Sequence, residues 1–251
     1  MYSTIQSKTN KRLLLSVIIF LALVLATFSC KKSNSTSGSS SATDTVTTDD
    51  AANAVSDAVS PASAGMVAQT QTTVVIINTD DLACGEVKDT AFSGQNAVGA
   101  AITYSYAYSS NRLLTCNADV PSSFQFNFSG KNSYSAAYIA SDDSAQGNFT
   151  VTGLSPGASQ YVFNASYIRN GSETSKVRNQ YTFTSNINIQ STNLTIDKST
   201  QQIVSGTATV SISGAASKGK SFSYSGTITF SGGNQALLVL GNGNTYTITW
   251  S

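Results

Sequence analysis

The sequence predicts an all-β fold, an antiparallel meander of about ten or more strands preceded by one short α-helix. Through most of the chain after Ile102, apolar residues alternate with polar or small ones. That period is typical of strands with one buried and one solvated face. The short Gly, Asn, Asp and Ser clusters between the runs leave no room for the crossover helices that parallel strands need. Alternation alone leaves a sandwich, a half-open roll and a barrel open.

Seven runs carry the clearest alternation. They are Ile102, Tyr104, Tyr106 and Tyr108; Phe124, Phe126 and Phe128; Tyr134, Ala136 and Tyr138; Tyr161, Phe163, Ala165 and Tyr167; Ala208, Val210 and Ile212; Phe222, Tyr224, Ile228 and Phe230; and Tyr246, Ile248 and Trp250. Hairpin turns are predicted at 129–132, 170–171, 197–200, 232–234 and 241–244. The roughly 170 residues from Leu82 onward are enough for one core, so residues 82–251 are expected to form a single β-domain.

Residues 48–81 are expected to form a short helix and a connector. Thr48, Asp49 and Asp50 supply a helix N-cap and acidic residues for the first turn, where they interact favourably with the helix dipole. Apolar residues then recur at helical spacing until Pro61. The pattern predicts a helix over about 49–60.

The first thirty residues are typical of an export signal. Lys11 and Arg12 precede an apolar run from Leu13 to Phe28 and a cysteine, Cys30, in the order that secretory signals have. The run is shorter than the roughly 20 residues of a membrane-spanning helix. The segment Ala26-Thr27-Phe28-Ser29-Cys30 resembles the lipobox of bacterial lipoproteins. The resemblance implies that residues 1–29 are removed and that Cys30 is acylated, which anchors the protein to a membrane.

The segment after Cys30 is predicted to be a tether. Residues 30–47 are rich in Ser and Thr and lack apolar periodicity, as flexible linkers do. In the lipoproteins that this segment resembles, Asp after the cysteine accompanies retention in the inner membrane, whereas Lys31 and Lys32 follow here. The resemblance therefore implies an outer-membrane location and leaves the leaflet open.

The two remaining cysteines suggest a disulfide. With Cys30 assigned to lipid, Cys84 and Cys116 are the remaining pair, and the compartments reached by exported proteins favour disulfide formation. Two buried free thiols are the alternative. The chain contains no histidine, and two cysteines alone do not complete a tetrahedral zinc shell, so neither a metal nor a cofactor is expected.

Composition disfavours catalysis and nucleic-acid binding. Without histidine, Ser-His-Asp and Cys-His nucleophiles are excluded in their usual form. The acids Asp119, Asp142, Asp143, Glu173 and Asp197 all fall at predicted turns and are interpreted as solvated loop charges. Without the predicted signal segment, which holds three of the 14 Lys and Arg residues, 11 basic residues remain against 13 acidic ones, a net charge of about −2. Nucleic acid is therefore not expected as a partner, since that needs a clustered basic face. The sequence therefore predicts a protein that is not an enzyme.

Alternating aromatic residues are the remaining candidates for a binding surface. Tyr104, Tyr106, Tyr108, Tyr134 and Tyr138 can face a sugar or a greasy ligand, since tyrosine joins an apolar ring to a polar tip. Alternating aromatic residues are also what a strand buries in its own core, and that interpretation is preferred.

Three functions remain open. The first is a non-catalytic structural or interaction module of the cell envelope, bound to the membrane through the lipid anchor. The second is a carrier or recognition protein for an amphipathic ligand. The third is an outer-membrane β-barrel, because Tyr246-Thr247-Ile248-Thr249-Trp250 resembles the terminal strand of that class. Beyond the membrane, an envelope protein, a glycan and a lipid all remain open as partners.

One internal segment carries a further resemblance. Residues 149–157, followed by Tyr161, Phe163 and Ala165, resemble the tyrosine-corner region of fibronectin type III domains, in which a leucine, a Pro-Gly turn and a tyrosine connect two strands. The resemblance covers this segment alone and implies sandwich-like geometry there.

Overall fold

The computed structural model describes residues 45–96, 99–177 and 180–250. The predicted signal segment, Cys30 and the tether up to residue 44 lie outside the described residues. The helices are α1 (Thr48–Val59) and α2 (Met66–Thr79), joined by a 3-10 turn at Pro61–Ser63. The strands are β1 (Val87–Gln95), β2 (Thr103–Asn117), β3 (Val120–Ser135), β4 (Ile139–Thr152), β5 (Gln160–Ser175), β6 (Thr182–Asp197), β7 (Ile203–Ala216), β8 (Ser221–Phe230), β9 (Gln235–Leu240) and β10 (Thr245–Thr249).

The ten strands form one antiparallel sheet. Their spatial order follows the chain from β1 to β10, so each strand pairs with its neighbours in sequence. This confirms the predicted meander. β1 and β10 are the edge strands, and the longest strands, β3, β5 and β6, each span 16 residues.

The sheet has an apolar inner face and a polar outer face. On β5, the inner-face residues Tyr161, Phe163 and Tyr167 are buried, while Asn164 and Asn170 on the other face are exposed. The same alternation on the other long strands produces an outer face dominated by Ser, Thr, Asn and Gln. The inner face carries the core and packs against both helices.

Helix α1 lies in this core. Its N-cap is Thr47, one residue before the predicted cap, and Thr47 and Asp50 form a reciprocal capping box. Small side chains such as Ala51, Ala54 and Ala58 are fully buried, which lets the helix approach the sheet closely. Val46 is already buried, and its carbonyl accepts a hydrogen bond from Tyr224. The folded part therefore includes the last residues of the predicted tether.

Helix α2 was not predicted from the sequence. Its C-terminal half contains the β-branched run 72–77, a composition that favours strands. The polar side chains of Gln69, Thr70 and Thr73 point into the core instead of marking a solvated face. Each donates a hydrogen bond to a backbone carbonyl four or five residues earlier in the chain, as Thr70 does to Met66 at 2.7 Å. Hydrogen bonds of this kind let polar residues be buried at low cost.

Two of the predicted turns are wrong. Residues 129–132 lie within β3 and residues 170–171 lie within β5. The glycines that suggested turns instead make room for side chains on the neighbouring strand. Gly130 lies opposite Tyr108, and a Cβ on Gly130 would come 2.8 Å from a carbon of that ring. Glycine inside a strand often marks such a close approach.

Candidate functional site

Two acids that the sequence placed in solvated turns lie in the core. Asp143 and Glu173 are on the inner faces of β4 and β5 and are 3% and 0% exposed. The interpretation of these two as loop charges is therefore wrong, because β4 and β5 continue through the predicted turns. Asp142 is on β4 but faces outward, Asp119 lies in the β2–β3 turn, and Asp197 ends β6.

Both buried acids surround one fully buried cation, Arg169 of β5. Its Nε lies 3.3 Å from Oδ2 of Asp143, while Nη1 and Nη2 donate to the carbonyls of Asp57 and Ser63 at 3.2 and 2.8 Å. These carbonyls belong to α1 and the 3-10 turn. Arg169 therefore ties the sheet to the turn between the two helices.

Glu173 is held by two hydroxyl groups. Ser185 donates to its Oε1 at 2.6 Å and Tyr134 to its Oε2 at 3.4 Å. The ring of Tyr134 in turn lies under the Arg169 guanidinium, with 4.8 Å from Cζ to the ring centroid. Burial raises the pKa of Glu173 to about 7, against the opposing effects of Ser185 and Arg169. Burial likewise raises the pKa of Asp57 to about 7, although Arg169 acts to lower it.

This cluster is closed to solutes. Arg169, Asp143 and Glu173 are covered by the helix pair on one side and the sheet on the other. A substrate would have to displace the helices to reach them. Among the described residues, no three acidic or cysteine side chains are grouped so that they could bind a metal ion. The cluster therefore fits a role in docking the helices.

The five candidate ligand-facing tyrosines are dispersed. Tyr108 and Tyr134 are buried at 3% exposure, Tyr104 and Tyr106 are half-buried, and Tyr138 is exposed on the β3–β4 turn. The rings of Tyr106 and Tyr108 stack at 4.9 Å and those of Tyr104 and Tyr106 at 6.2 Å. Most of these rings therefore pack against other rings or lie buried in the core, and little of their surface is left to contact a ligand.

The predicted cysteine pair forms a disulfide. Cys84 lies in the connector between α2 and β1, and Cys116 lies near the end of β2, with 5.5 Å between their Cα atoms. The N–H of Gly85 also bonds the carbonyl of Leu114 at 2.8 Å. The connector is thus held against the end of β2.

A recess of about 240 Å³, lined by eight aliphatic or aromatic residues and one acid, lies beside this connector. Its walls come from α2, the connector, β2, β3, the β4–β5 turn and β5. The lining residues are Ile76, Ile77, Asp80, Leu82, Leu114, Pro121, Phe124, Leu154 and Tyr161. Five of the aliphatic side chains, Ile76, Ile77, Leu82, Leu114 and Leu154, are only partly buried. They are the apolar groups that a bound molecule would cover.

Three cations contact residues that line the recess. Lys88 Nζ lies 2.5 Å from Oδ1 of Asp80, and Arg112 pairs with the other oxygen of that carboxylate. These contacts, chiefly the hydrogen bond from Lys88, hold the pKa of Asp80 below its usual value. Beside the lining residue Tyr161, Lys198 Nζ lies 4.6 Å from the centroid of that ring. The hydroxyl of Tyr161 donates to Asn78 of α2 at 2.7 Å, which closes that side.

Exposed apolar side chains adjoin the same end of the sheet. Large apolar residues with more than two-fifths of their surface exposed include Val75, Val87 and Val120. Val75 precedes the lining residue Ile76, Val120 precedes Pro121, and Val87 is paired with Leu113, the neighbour of Leu114. Exposed apolar side chains that lie close together on the surface often mark interaction sites. No local sequence pattern indicates the recess, because each of its elements contributes only one or two residues.

No protein-family model, curated protein or solved structure matches this chain. Among the described residues, neither helix has the length and apolar character needed to cross a bilayer.

Proposed function

We propose that this chain is a lipid-anchored protein of the bacterial cell envelope that acts by binding and not by catalysis, with the recess at the end of α2 as its binding site. The recess carries the proposal. It combines concave walls of mostly apolar side chains with polar atoms, including those of Asp80 and Tyr161, and polar groups within an apolar lining are what orient a ligand in a binding site. The inner face of the sheet is a weaker candidate, because α1 and α2 already cover it.

The position of the recess suits an anchored protein. The described chain begins beside β6, where the hydroxyl of Tyr181 donates to the carbonyl of Thr45 at 3.3 Å. Tyr181 follows the end of β5, whereas the recess residue Tyr161 lies at the start of that strand. The 16 residues of β5 span about 50 Å at the rise of a strand. A tether attached at Thr45 therefore enters the domain at the end opposite the recess.

Binding of an uncharged apolar dye tests the proposal. Nile red is expected to insert one end of its fused rings into the recess, which is too small for the whole dye, and to fluoresce more strongly on the folded protein, because the lining residues are mostly apolar. Leu154→Asp is expected to abolish this signal, since it places a carboxylate in the wall. Ile77→Gln, on α2, should weaken it as well, because Ile77 also lines the recess.

The matched control is Leu237→Asp. Leu237 is 43% exposed on β9 and does not line the recess, so this variant should bind the dye like the parent protein. Circular dichroism melting curves would verify that each variant is folded. A folded Leu154→Asp protein that binds Nile red as well as the parent would contradict the assignment of the site.

A further inference from the structure

The recess has the size of a single alkyl chain. Its volume of 240 Å³ equals that of roughly eight water molecules and is smaller than the sites that hold drug-sized ligands. A diacyl lipid would leave one chain in water. The walls offer Ile, Leu, Pro and Phe side chains, and no pair of parallel aromatic rings that would stack on a sugar is among them. These features favour one unbranched alkyl chain.

The charges at the margin favour an anionic head group. Lys88, Arg112 and Lys198 all contact residues of the lining, whereas Asp80 is the only acid in it. Asp80 is paired with two cations at once, so one positive charge beside it is uncompensated within this group. Asp81 and Glu86 lie on the same connector but are exposed and do not line the recess. Glu86 accepts the N–H of Ala83 at 2.8 Å.

Lys198 is the cation placed best for a ligand. Its ammonium group lies over the Tyr161 ring and donates to the carbonyl of Ser155 at 2.8 Å. That carbonyl is neutral, so no carboxylate is paired with Lys198 among the described residues. Lysine keeps further N–H donors after one such hydrogen bond. Lys198 is therefore able to bond the head group of a molecule whose chain lies against Leu154 and Tyr161.

We infer that the recess binds a single alkyl chain with an anionic head group, the chain lying between α2 and the ends of β2 and β3 and the head group at Lys198. The inference rests on the proposed function, since it names the ligand class of the same site. The shared chemistry is that of an anionic amphiphile, one alkyl chain with a negatively charged head group. A fatty acid supplies the charge as a carboxylate and a lysophospholipid as a phosphate.

Displacement of Nile red by ten-carbon amphiphiles tests the head group. Decanoate, decyl phosphate, decanol and decyltrimethylammonium would be compared at pH 7.5, below the concentrations at which they form micelles. Decanoate and decyl phosphate are expected to displace the dye at lower concentrations than decanol, and the cation to be the weakest. A stronger effect of the phosphate than of the carboxylate would identify a phosphate-headed lipid as the source, and the reverse order a fatty acid.

A chain-length series tests the recess itself. Within the length that the recess can hold, each methylene removed from the alkanoate should weaken binding roughly fourfold. Affinity should stop rising with length once the recess is filled. Lys198→Gln should lower the affinity for decanoate by up to about fivefold, as expected for an exposed ion pair, and leave decanol unchanged. Lys131→Gln, an exposed lysine on the outer face of β3, is the matched control and should change neither.

The outcomes separate this inference from the proposed function. If Nile red binds but the four amphiphiles displace it equally well, the anionic head group is wrong and the apolar binding site stands. If Lys198→Gln and Lys131→Gln behave alike, the position of the head group is wrong. If neither Nile red nor any amphiphile binds, both proposals are wrong.

Discussion

Arg169 on β5 and Asp143 on β4 form an ion pair whose two side chains are both fully buried, with 3.3 Å between Nε and Oδ2. The same guanidinium bonds carbonyls of α1 and of the 3-10 turn. A buried ion pair adds little net stability, because desolvation of two charges opposes their attraction, but breaking it leaves an uncompensated charge. We therefore interpret the pair as a device that fixes where the helices dock on the sheet.

Neighbouring aspartates on β4 provide a test of this interpretation. Asp143→Asn leaves the charge of Arg169 without its paired carboxylate in the core and is expected to lower the free energy of unfolding by about 3–5 kcal/mol. Asp142→Asn, at the next position on the exposed outer face, should change it by less than about 0.5 kcal/mol. Urea denaturation of both variants measures the difference. Equal effects would show that Asp143 is solvated, contrary to its burial.

Replacing both members of the pair should be milder than replacing one. Arg169→Met leaves Asp143 and Glu173 buried without a cation and is expected to cost about 3–5 kcal/mol in unfolding free energy. Adding Asp143→Leu removes one uncompensated charge, so the double variant should be more stable than Arg169→Met alone. A double variant that loses the sum of both single effects would show that the two residues are not coupled.

Stability is expected to fall as the pH rises from about 4.5 to 7.5. The pKa of Glu173 is raised from 4.5 to about 7 in the folded protein by burial, so in this window the folded state binds more protons than the unfolded state. Stability then decreases with pH, on the order of 3 kcal/mol for this group across the whole window. Asp57, whose pKa is raised in the same direction, adds to the trend.

Glu173→Gln isolates the contribution of that carboxyl group. The amide keeps the shape but does not titrate, so melting temperatures of this variant should vary less between pH 5 and pH 7.5 than those of the parent protein. The exposed Asp142→Asn variant is the control and should retain the full pH dependence. A parent protein whose stability rises over this range would contradict the raised pKa.

Local pattern was enough to predict the antiparallel meander and helix α1 but not helix α2. Alternation placed residues such as Phe126 and Phe163 on the inner face, where both are 0% exposed. Gly130 and Gly171 were misleading, because a glycine that makes room for a residue on the neighbouring strand looks the same in sequence as a glycine in a turn. Helix α2 was missed because its β-branched residues favour strands, and only its contacts with the sheet override that preference.

The buried charges and the recess depend on tertiary contacts. Nothing near Glu173 in sequence indicates that Ser185 and Tyr134 will bond its carboxylate. Likewise, Leu82 and Leu154 come together only because α2 and the disulfide hold the connector across the ends of the strands. A single sequence reports the period of each element but not which elements meet.

The disulfide is expected to stabilise both the fold and the recess. It closes a separation of 32 residues, which corresponds to about 3–4 kcal/mol in the chain-entropy description. Cys84→Ser with Cys116→Ser should lower the unfolding free energy by about this amount and weaken Nile red binding, since Leu82 lies in the freed connector. In unreduced, denatured parent protein, both thiols should resist alkylation and react only after reduction. Two thiols that react before reduction would contradict the pairing.

Acylation of Cys30 is the remaining prediction, because a cysteine after an export signal and before a Ser/Thr-rich tether resembles the modified residue of lipoproteins. The resemblance implies that Cys30 carries more than one acyl chain, and more than one chain is what stable anchoring needs. The wild-type protein should therefore fractionate with membranes. Cells grown with an alkyne-bearing fatty acid should incorporate the label into the wild type and not into Cys30→Ser. The variant in which Cys84 and Cys116 are both serine is the control and should be labelled like the wild type. Equal labelling of wild type and Cys30→Ser would show that Cys30 is not the anchor, and loss of label from the control instead would place acylation on one of the other two cysteines.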